Sequence, residues 1–365
     1  MTTRRDFLKT TAGSALLAGL SAACARAVGG TATPPRKMSL LVLGGTGFIG
    51  PHLVRHAVSR GHQVSIFTRG RREAELPAEV ERLIGDRNGQ LGALVGRKWD
   101  AVVDDSATNP DWVRQSTELL KGNVGSYLFT SSTGVYYPYR TRPIDESTPV
   151  LYEAADPKDG SATYGANKAQ CERLVQAAFG ERAFISRPTY IVGPGDTTDR
   201  FPYWPVRLAK GGEVLAPGKR DDPTQLIDVR DLTEFMITLL ERGTGGVYSV
   251  ARSPLAAWTF YDEAARAIDA KVTFTRIEDY DFLEAHKIQY SVPWALAKGD
   301  WYGMMSVKND RAVAAGLQFR PLATTVRDTL AWWQTVPEAR RTNPKFAITP
   351  ELEAKAHADW HALGH

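Results

Sequence analysis

Cysteine is nearly absent. Only Cys24 and Cys171 occur in 365 residues, too few for a disulfide framework, and Cys24 lies so near the start that the body keeps one thiol. That count is silent about compartment, since oxidising and reducing environments both tolerate it. Charge of one sign is also lacking. The formal net charge is +4, but residues 1–27 carry Arg4, Arg5, Lys9 and Arg26 against Asp6, leaving 41 basic and 40 acidic residues beyond them. So balanced a body has no global field to steer it onto nucleic acid or anionic lipid, and no nucleic-acid partner is expected. Long apolar runs are missing too: no segment reaches the roughly 20 residues that span a bilayer. With 43% hydrophobic and 24% charged residues, the composition excludes disorder, collagen and coiled coil. The length suits two modest domains, or one large α/β domain with a smaller lobe.

What is present begins with Thr3-Arg4-Arg5-Asp6-Phe7-Leu8-Lys9 and the apolar run Ala15-Leu16-Leu17-Ala18-Gly19-Leu20. The pair resembles a twin-arginine export signal, which implies passage through the twin-arginine translocase to the periplasm. Ala25-Arg26-Ala27 offers small residues where a signal peptidase reads. Leu20-Ser21-Ala22-Ala23-Cys24 looks like a shifted lipobox, with Ser21 where Leu is usual. A soluble periplasmic form and one membrane-anchored through Cys24 both stay open, the soluble form being favoured. Residues 1–27 are thus read as signal peptide and 28–37, with Gly29, Gly30, Pro34 and Pro35, as a linker. A dinucleotide-binding domain over 38–195, a substrate-binding lobe over 196–335 with strands returning to the main sheet, and a helical tail over 336–365 follow.

Ser39-Leu40-Leu41-Val42-Leu43 is a short apolar run ending in Gly44-Gly45-Thr46-Gly47-Phe48-Ile49-Gly50, after which Leu53, Val54, Ala57 and Val58 keep helical spacing. Strand, glycine turn and helix are the order of a dinucleotide-binding unit. Gly44 lets the strand turn, Gly47 lets backbone approach a pyrophosphate, and Gly50 lets helix pack on strand. The pyrophosphate sits at the positive end of the helix dipole. Thr46, Phe48 and Ile49 belong to the same contact set. The second strand, residues 63–67, leads into Thr68-Arg69-Gly70-Arg71-Arg72, where an NAD site usually places a carboxylate for the ribose hydroxyls. Guanidinium groups grip a 2′-phosphate that a carboxylate repels, so NADP is favoured over NAD. In the alternative, the arginines are solvated and Thr68 meets a plain ribose. In Gly85-Asp86-Arg87, both Asp86 and Arg87 are candidate cofactor contacts, with Asp86 near the adenine. Ala101-Val102-Val103, ending in Asp104-Asp105-Ser106, would form a fourth strand beneath the cofactor.

Tyr127-Leu128-Phe129 reads as another buried strand and runs into Thr130-Ser131-Ser132. Downstream, Tyr164-Gly165-Ala166-Asn167-Lys168 opens a long helical stretch. Spacing of four residues puts Tyr164 and Lys168 on one helical face, where an ammonium can favour the tyrosinate. Such a phenol exchanges a proton with a substrate hydroxyl while hydride passes to a nicotinamide, and Ser132 can orient the substrate oxygen.

Here the chain resembles the extended short-chain dehydrogenase/reductase family, in its NAD-dependent epimerase/dehydratase branch, over about residues 38–330. The resemblance rests on Gly44-x-x-Gly47-x-x-Gly50, Ser131-Ser132-x-x-Val135-Tyr136, Tyr164-x-x-x-Lys168, residues 187–195 (Arg-Pro-Thr-Tyr-Ile-Val-Gly-Pro-Gly) and Ile227-Asp228-Val229-Arg230-Asp231. It implies a Rossmann-type doubly wound parallel sheet with a smaller C-terminal α/β lobe. It further implies a catalytic triad of Ser132, Tyr164 and Lys168, with Lys168 also on the nicotinamide ribose and Pro188 against the nicotinamide. Where dehydratase relatives carry Thr-Asp-Glu this chain has Ser132-Thr133-Gly134, which sets dehydration aside. Thr224 stands where nucleotide-sugar epimerases typically hold a diphosphate with arginine.

The segment between Val135 and Tyr164 is long, and reads equally as a lid or a solvated loop. In the lobe, Tyr203, Trp204 and Arg207 are the substrate candidates: aromatic faces stack on sugar rings and an arginine receives an anion. Alternatively, Tyr203 and Trp204 cap the lobe's core; Tyr137, Tyr139, Trp294 and Trp301 share that ambiguity. His357, His361 and His365 fall on one helix face, but no accompanying carboxylate motif suggests a metal, and none is expected. The expected function is an exported NAD(P)-dependent epimerase or oxidoreductase acting on a secondary alcohol of a sugar-like substrate. An NADPH-dependent net reductase and a non-catalytic RNA-binding or regulatory relative are the alternatives. A homodimer is compatible with all three.

Overall fold

In the computed structural model, which describes residues 36–364 apart from 106, 297 and 299–302, strand β1 (Ser39–Leu43) is covered on both faces. Leu40 and Val42 pack with Leu53, Val54 and Ala57 of helix α1 (Ile49–Ser59). Leu41 and Leu43 pack with Val113 and Leu120 of α2 (Pro110–Leu120) and with Cys171, Val175 and Phe179 of α3 (Gly160–Phe179). A strand buried on both sides has no polar face, which is why its sequence runs unbroken in Leu and Val. The expected export signal, with Cys24, and the residues Ser106, Trp301 and His365 lie outside the described residues.

Next to β1 lie β2 (Gln63–Thr68) and β4 (Trp99–Asp104). With β3 (Glu81–Ile84), β5 (Val124–Thr130), β6 (Ala183–Pro188) and the strand Gly246–Val250 they form one seven-stranded sheet. Its order is Gly246–Val250, β6, β5, β4, β1, β2, β3, and every pair is parallel. This is a doubly wound Rossmann-type sheet. The winding reverses between β1 and β4, and the crevice at the carboxyl ends of the strands there is where such sheets hold ligands.

Three local devices shape that crevice. Gly44 and Gly45 take φ of 123° and 90°, so the chain turns sharply off β1. A Cβ on Gly50 would lie 2.4 Å from the Gly45 backbone; only glycine lets the first turn of α1 rest on the corner. Helix α3 starts where the Asp159 carboxylate accepts from the backbone N–H groups of Ser161 and Ala162, satisfying donors the first turn leaves open.

The smaller lobe has its own apolar cluster, in which Phe201, Tyr203, Trp204, Phe260, Tyr261 and Trp294 are buried. It is built from α4 (Tyr203–Ala209), α6 (Ala257–Ala267), the helices Leu322–Thr335 and Pro350–Ala362, and the parallel pair Gly212–Pro217 with Val272–Ile277. Between them α5 (Val229–Arg242) packs on the sheet, its N-terminus capped by Asp228. The segment 135–160 is tied to the body at Tyr137, Ile144 and Glu146, while most of 151–160 is exposed to solvent. Ile144 donates its N–H to the Ser306 carbonyl at 3.1 Å and accepts from Lys308 N at 2.8 Å. Glu146 accepts from Ser249 N at 2.7 Å, and the Tyr137 hydroxyl donates to Asp159 at 2.7 Å.

Candidate active site

The glycine corner opens into a cavity of about 460 Å³. Gly44, Thr46, Gly47, Phe48 and Ile49 form one wall, and Thr68, Arg69, Arg71 and Arg72 stand beyond the end of β2. At Gly47 the nearest atom to an added Cβ would be an Arg72 nitrogen at 3.9 Å, so the corner faces open space. The Gly45 N–H donates to Asp105 Oδ2 at 3.3 Å. Asp86 lines the same cavity and steadies its own turn by accepting from Asn88 N at 3.0 Å.

Arg87 also borders this cavity, but its guanidinium is turned to the protein. Both terminal nitrogens donate to Asp104 at 2.6 Å. Asp104 is wholly buried and accepts from the Tyr127 hydroxyl at 2.8 Å as well. The expectation of Arg87 as a cofactor ligand is therefore corrected: it neutralises a carboxylate at the end of β4, because a buried charge needs a partner.

A second cavity, of about 420 Å³, lies on the other side of Phe48, which lines both. Its wall includes Ser132, Tyr164 and Pro188, together with Tyr137, Tyr139, Tyr190 and Arg200. Ser132 ends the β5 loop in extended geometry, its Oγ accepting from Gly134 N at 3.0 Å. Tyr164, on α3, is 40% exposed. Desolvation raises its phenol above the ordinary value, against the Ser132 hydroxyl and the Arg200 charge, which lower it. One turn later Lys168 is buried. Its Nζ donates to the carbonyls of Ala107 and Thr130, each at 2.7 Å, and lies 5.9 Å from the Tyr164 ring centre. Burial lowers its amine to about 8. So the two residues share a face as the spacing predicts, with the Lys168 ammonium near the phenol ring and the Arg200 charge also acting on the phenol.

Tyr203, Trp204 and Arg207 do not reach this cavity. Tyr203 is 3% and Trp204 0% exposed, inside the lobe's core, with Trp204 at 4.5 Å from the Tyr261 ring centre. Arg207 Nε donates to Glu353 at 2.5 Å, and another of its nitrogens to the Gly211 carbonyl at 3.0 Å. All three are corrected from substrate contacts to structural ones: α4 turns this face inward, and the helix Pro350–Ala362 supplies the counter-ion. Trp294 is buried in the same cluster. Thr224 is buried, donating to the Leu255 carbonyl at 2.7 Å. His361 meets Glu213 at 2.7 Å, and among the described residues no group of three or more His, Cys, Asp or Glu could hold a metal. Nor is any helix among them long and apolar enough to cross a membrane.

Two residues have roles that the sequence reading did not assign. Arg200 is the cation of the second cavity. Arg187 of β6 forms a buried pair with Glu172 of α3, at 2.9 and 2.6 Å, and donates to the Tyr136 hydroxyl at 2.8 Å. It fastens α3, and so Tyr164, to the sheet. The Arg187 signal was available, since a charge inside an otherwise apolar strand needs a partner.

Among curated proteins, the chain is 28% identical over 230 residues to the chloroplast stem-loop binding protein of 41 kDa b of Arabidopsis thaliana, covering 58% of each. It thus spans little more than half the length of that relative. It is 31% identical over 241 residues to dTDP-4-dehydro-6-deoxy-D-allose reductase of Streptomyces bikiniensis, covering 56% of this chain and 73% of that one. Among solved structures, a UDP-glucose 4-epimerase superposes with a TM-score of 0.62 at 17% identity, over 82% of this chain and 98% of that one; this likeness is one of fold. Residues 40–251 match the NAD dependent epimerase/dehydratase family. That match runs from β1 to the edge strand Gly246–Val250, through every strand of the sheet, and the chain belongs to the NAD dependent epimerase/dehydratase family.

Proposed function

We propose that this protein is an NAD(P)-dependent epimerase-type oxidoreductase acting on a secondary alcohol of a sugar-like substrate. The observation that carries the reading is the junction at Phe48, where the cavity of the glycine corner meets the cavity of Ser132 and Tyr164. The corner suits a dinucleotide. Its glycines leave room for a pyrophosphate at the start of α1, and Arg69, Arg71 and Arg72 offer cations where a 2′-phosphate would lie, which favours NADP. A bound nicotinamide supplies a hydride acceptor and donor. Tyr164 takes the proton of the substrate hydroxyl and gives it back, while Ser132 holds the same oxygen. Lys168, fixed by two carbonyls, keeps the base of the cleft positioned.

Export through the twin-arginine translocase to the periplasm is part of the proposal, on the strength of Arg4-Arg5 and the apolar run behind them. That route carries folded, cofactor-loaded protein, and a periplasmic enzyme meets no ready pool of reduced nicotinamide. Epimerisation fits such a setting: hydride leaves and returns in one cycle, so the cofactor is reset at every turnover. Mass spectrometry of the native protein, purified from its own compartment, tests this. The reading expects NADP(H) in the protein, a cleaved N-terminus and no net use of added NADPH. Protein that emerges without nicotinamide contradicts it.

Net reduction is the second reading, favoured by the reductase among the relatives; steady consumption of NADPH would select it. The name of another relative points to stem-loop binding. The near-neutral body argues against that role here, and salt-sensitive RNA binding that survives Tyr164→Phe would favour it.

A further inference from the structure

Of the described residues that line the Tyr164 cavity, Arg200 alone carries a permanent charge. Its guanidinium lies over the Tyr190 ring at 5.3 Å, and Nε donates to Thr198 Oγ1 at 3.0 Å. The two terminal nitrogens have no hydrogen-bond acceptor and no carboxylate within 4 Å among the described residues. The nearby acids are engaged elsewhere. Asp199 pairs with Arg340 and accepts from Lys345 N. Asp196 accepts through Oδ1 from Thr198 N at 2.8 Å and from its hydroxyl at 2.6 Å, and burial pushes its carboxyl up against the Arg200 charge, which lowers it. Arg207, the cation that the sequence offered for this role, is instead neutralised by Glu353. Arg200 differs: its planar fork is open on the side of the cavity that holds the phenol.

We propose that Arg200 is the anion anchor of this cavity, and that the substrate is a compact acid whose carboxylate docks on the guanidinium fork while its neighbouring alcohol meets Tyr164 and Ser132. The fork matches a carboxylate in geometry and charge, two parallel N–H donors against two oxygens. The count of charges decides between ligands. One cation balances one carboxylate, whereas the dianion of a phosphate or the two charges of a nucleoside diphosphate would stay half uncompensated in a wall otherwise made of tyrosine, serine, threonine and apolar groups. Thr224 and Arg207, buried and engaged, supply nothing further. The rings of Tyr137, Tyr139 and Tyr190 give the remaining wall the flat apolar faces that pack on a sugar ring. A sugar acid, or a smaller hydroxy acid, fits all three features. This assignment rests on the reading of the cavity as the place where an alcohol meets the nicotinamide, and it narrows that substrate to an acid.

The test is calorimetry on the full chain loaded with NADP⁺, titrated with glucuronate, lactate and acetate and with their neutral counterparts glucose, lactamide and acetamide. At least one acid should bind tenfold or more tightly than its neutral partner. Arg200→Gln should erase that preference, Arg200→Lys should keep part of it, and Tyr164→Phe should leave it intact, with NADP⁺ affinity unchanged throughout. Equal binding of every acid and its partner, or a preference that persists in Arg200→Gln at unchanged melting temperature, overturns the assignment. Cofactor binding is titrated separately: failure of NADP⁺ to bind strikes the oxidoreductase reading, while the acid preference of the cofactor-free chain still reports on Arg200.

Discussion

Lys168 stands one helical turn beyond Tyr164, its ammonium 5.9 Å from the centre of the phenol ring and hydrogen-bonded to the carbonyls of Ala107 and Thr130 at 2.7 Å. It joins the loop after β4 and the end of β5 to the helix that carries the phenol. Desolvation is the main reason its amine falls from 10.5 to about 8. In the unfolded chain the amine recovers its ordinary value, so between pH 8 and 10.5 the unfolded state binds more protons than the folded one, and stability rises with pH across that window. The deficit is whole below pH 8. Melting curves of the wild type and Lys168→Met from pH 7 to 10 should show the wild type gaining on the variant as pH climbs; a constant difference contradicts the buried amine.

The Arg87–Asp104 pair makes a sharper demand on stability. Arg87→Met leaves a fully buried carboxylate with a tyrosine hydroxyl but no cation. Removing one partner of such a pair costs roughly 3–5 kcal/mol. Urea denaturation should register that loss, and Asp104→Asn in the same chain should restore a good part of it. A loss below about 0.5 kcal/mol, the size of an ordinary surface change, would mean that the pair does not hold β4.

At Gly50 the constraint is steric. An alanine there meets the Gly45 backbone at 2.4 Å, and neither helix nor corner can yield without moving the other. Gly50→Ala should destabilise by about 1–3 kcal/mol, the usual cost of overpacking, and weaken cofactor binding at the same time. Binding titrations beside thermal melts check both, and an unchanged pair of values would detach the corner from the cofactor.

The proposed preference for NADP is tested at Arg71. Hydrogen bonds to charged groups contribute about 1.5–3 kcal/mol, so Arg71→Ala should weaken NADP⁺ by about 10–150-fold and leave NAD⁺ nearly untouched. Equal loss for both dinucleotides would mean that the arginines do not read the 2′-phosphate.

The glycine corner was legible because each glycine answers a local constraint, and β1 because its residues covered on both faces, Leu40 to Leu43, are all apolar. Tyr164 and Lys168 were legible because a helix fixes which residues share a face. The lobe was not, and Arg207 shows why. Its partner Glu353 lies 146 residues downstream, so nothing near Arg207 in the sequence announces an ion pair. Arg200 and Arg207 look alike in the same aromatic stretch, and only the packing of α4 against the lobe turns one inward and leaves the other at the cleft. Lys168 shows the same limit at close range. Spacing gives its helix face, whereas its hydrogen bonds to Ala107 and Thr130 depend on loops from two other strands.

The central claim is that Tyr164 moves the substrate proton beside a bound nicotinamide. Its most direct test is the single-turnover rate of Tyr164→Phe with the substrate identified for the wild type, measured beside the cofactor dissociation constant. A positioned acid–base group contributes about 10²–10⁴-fold, so the rate should fall by that factor while cofactor affinity and melting temperature hold. A variant that turns over at the wild-type rate contradicts the account.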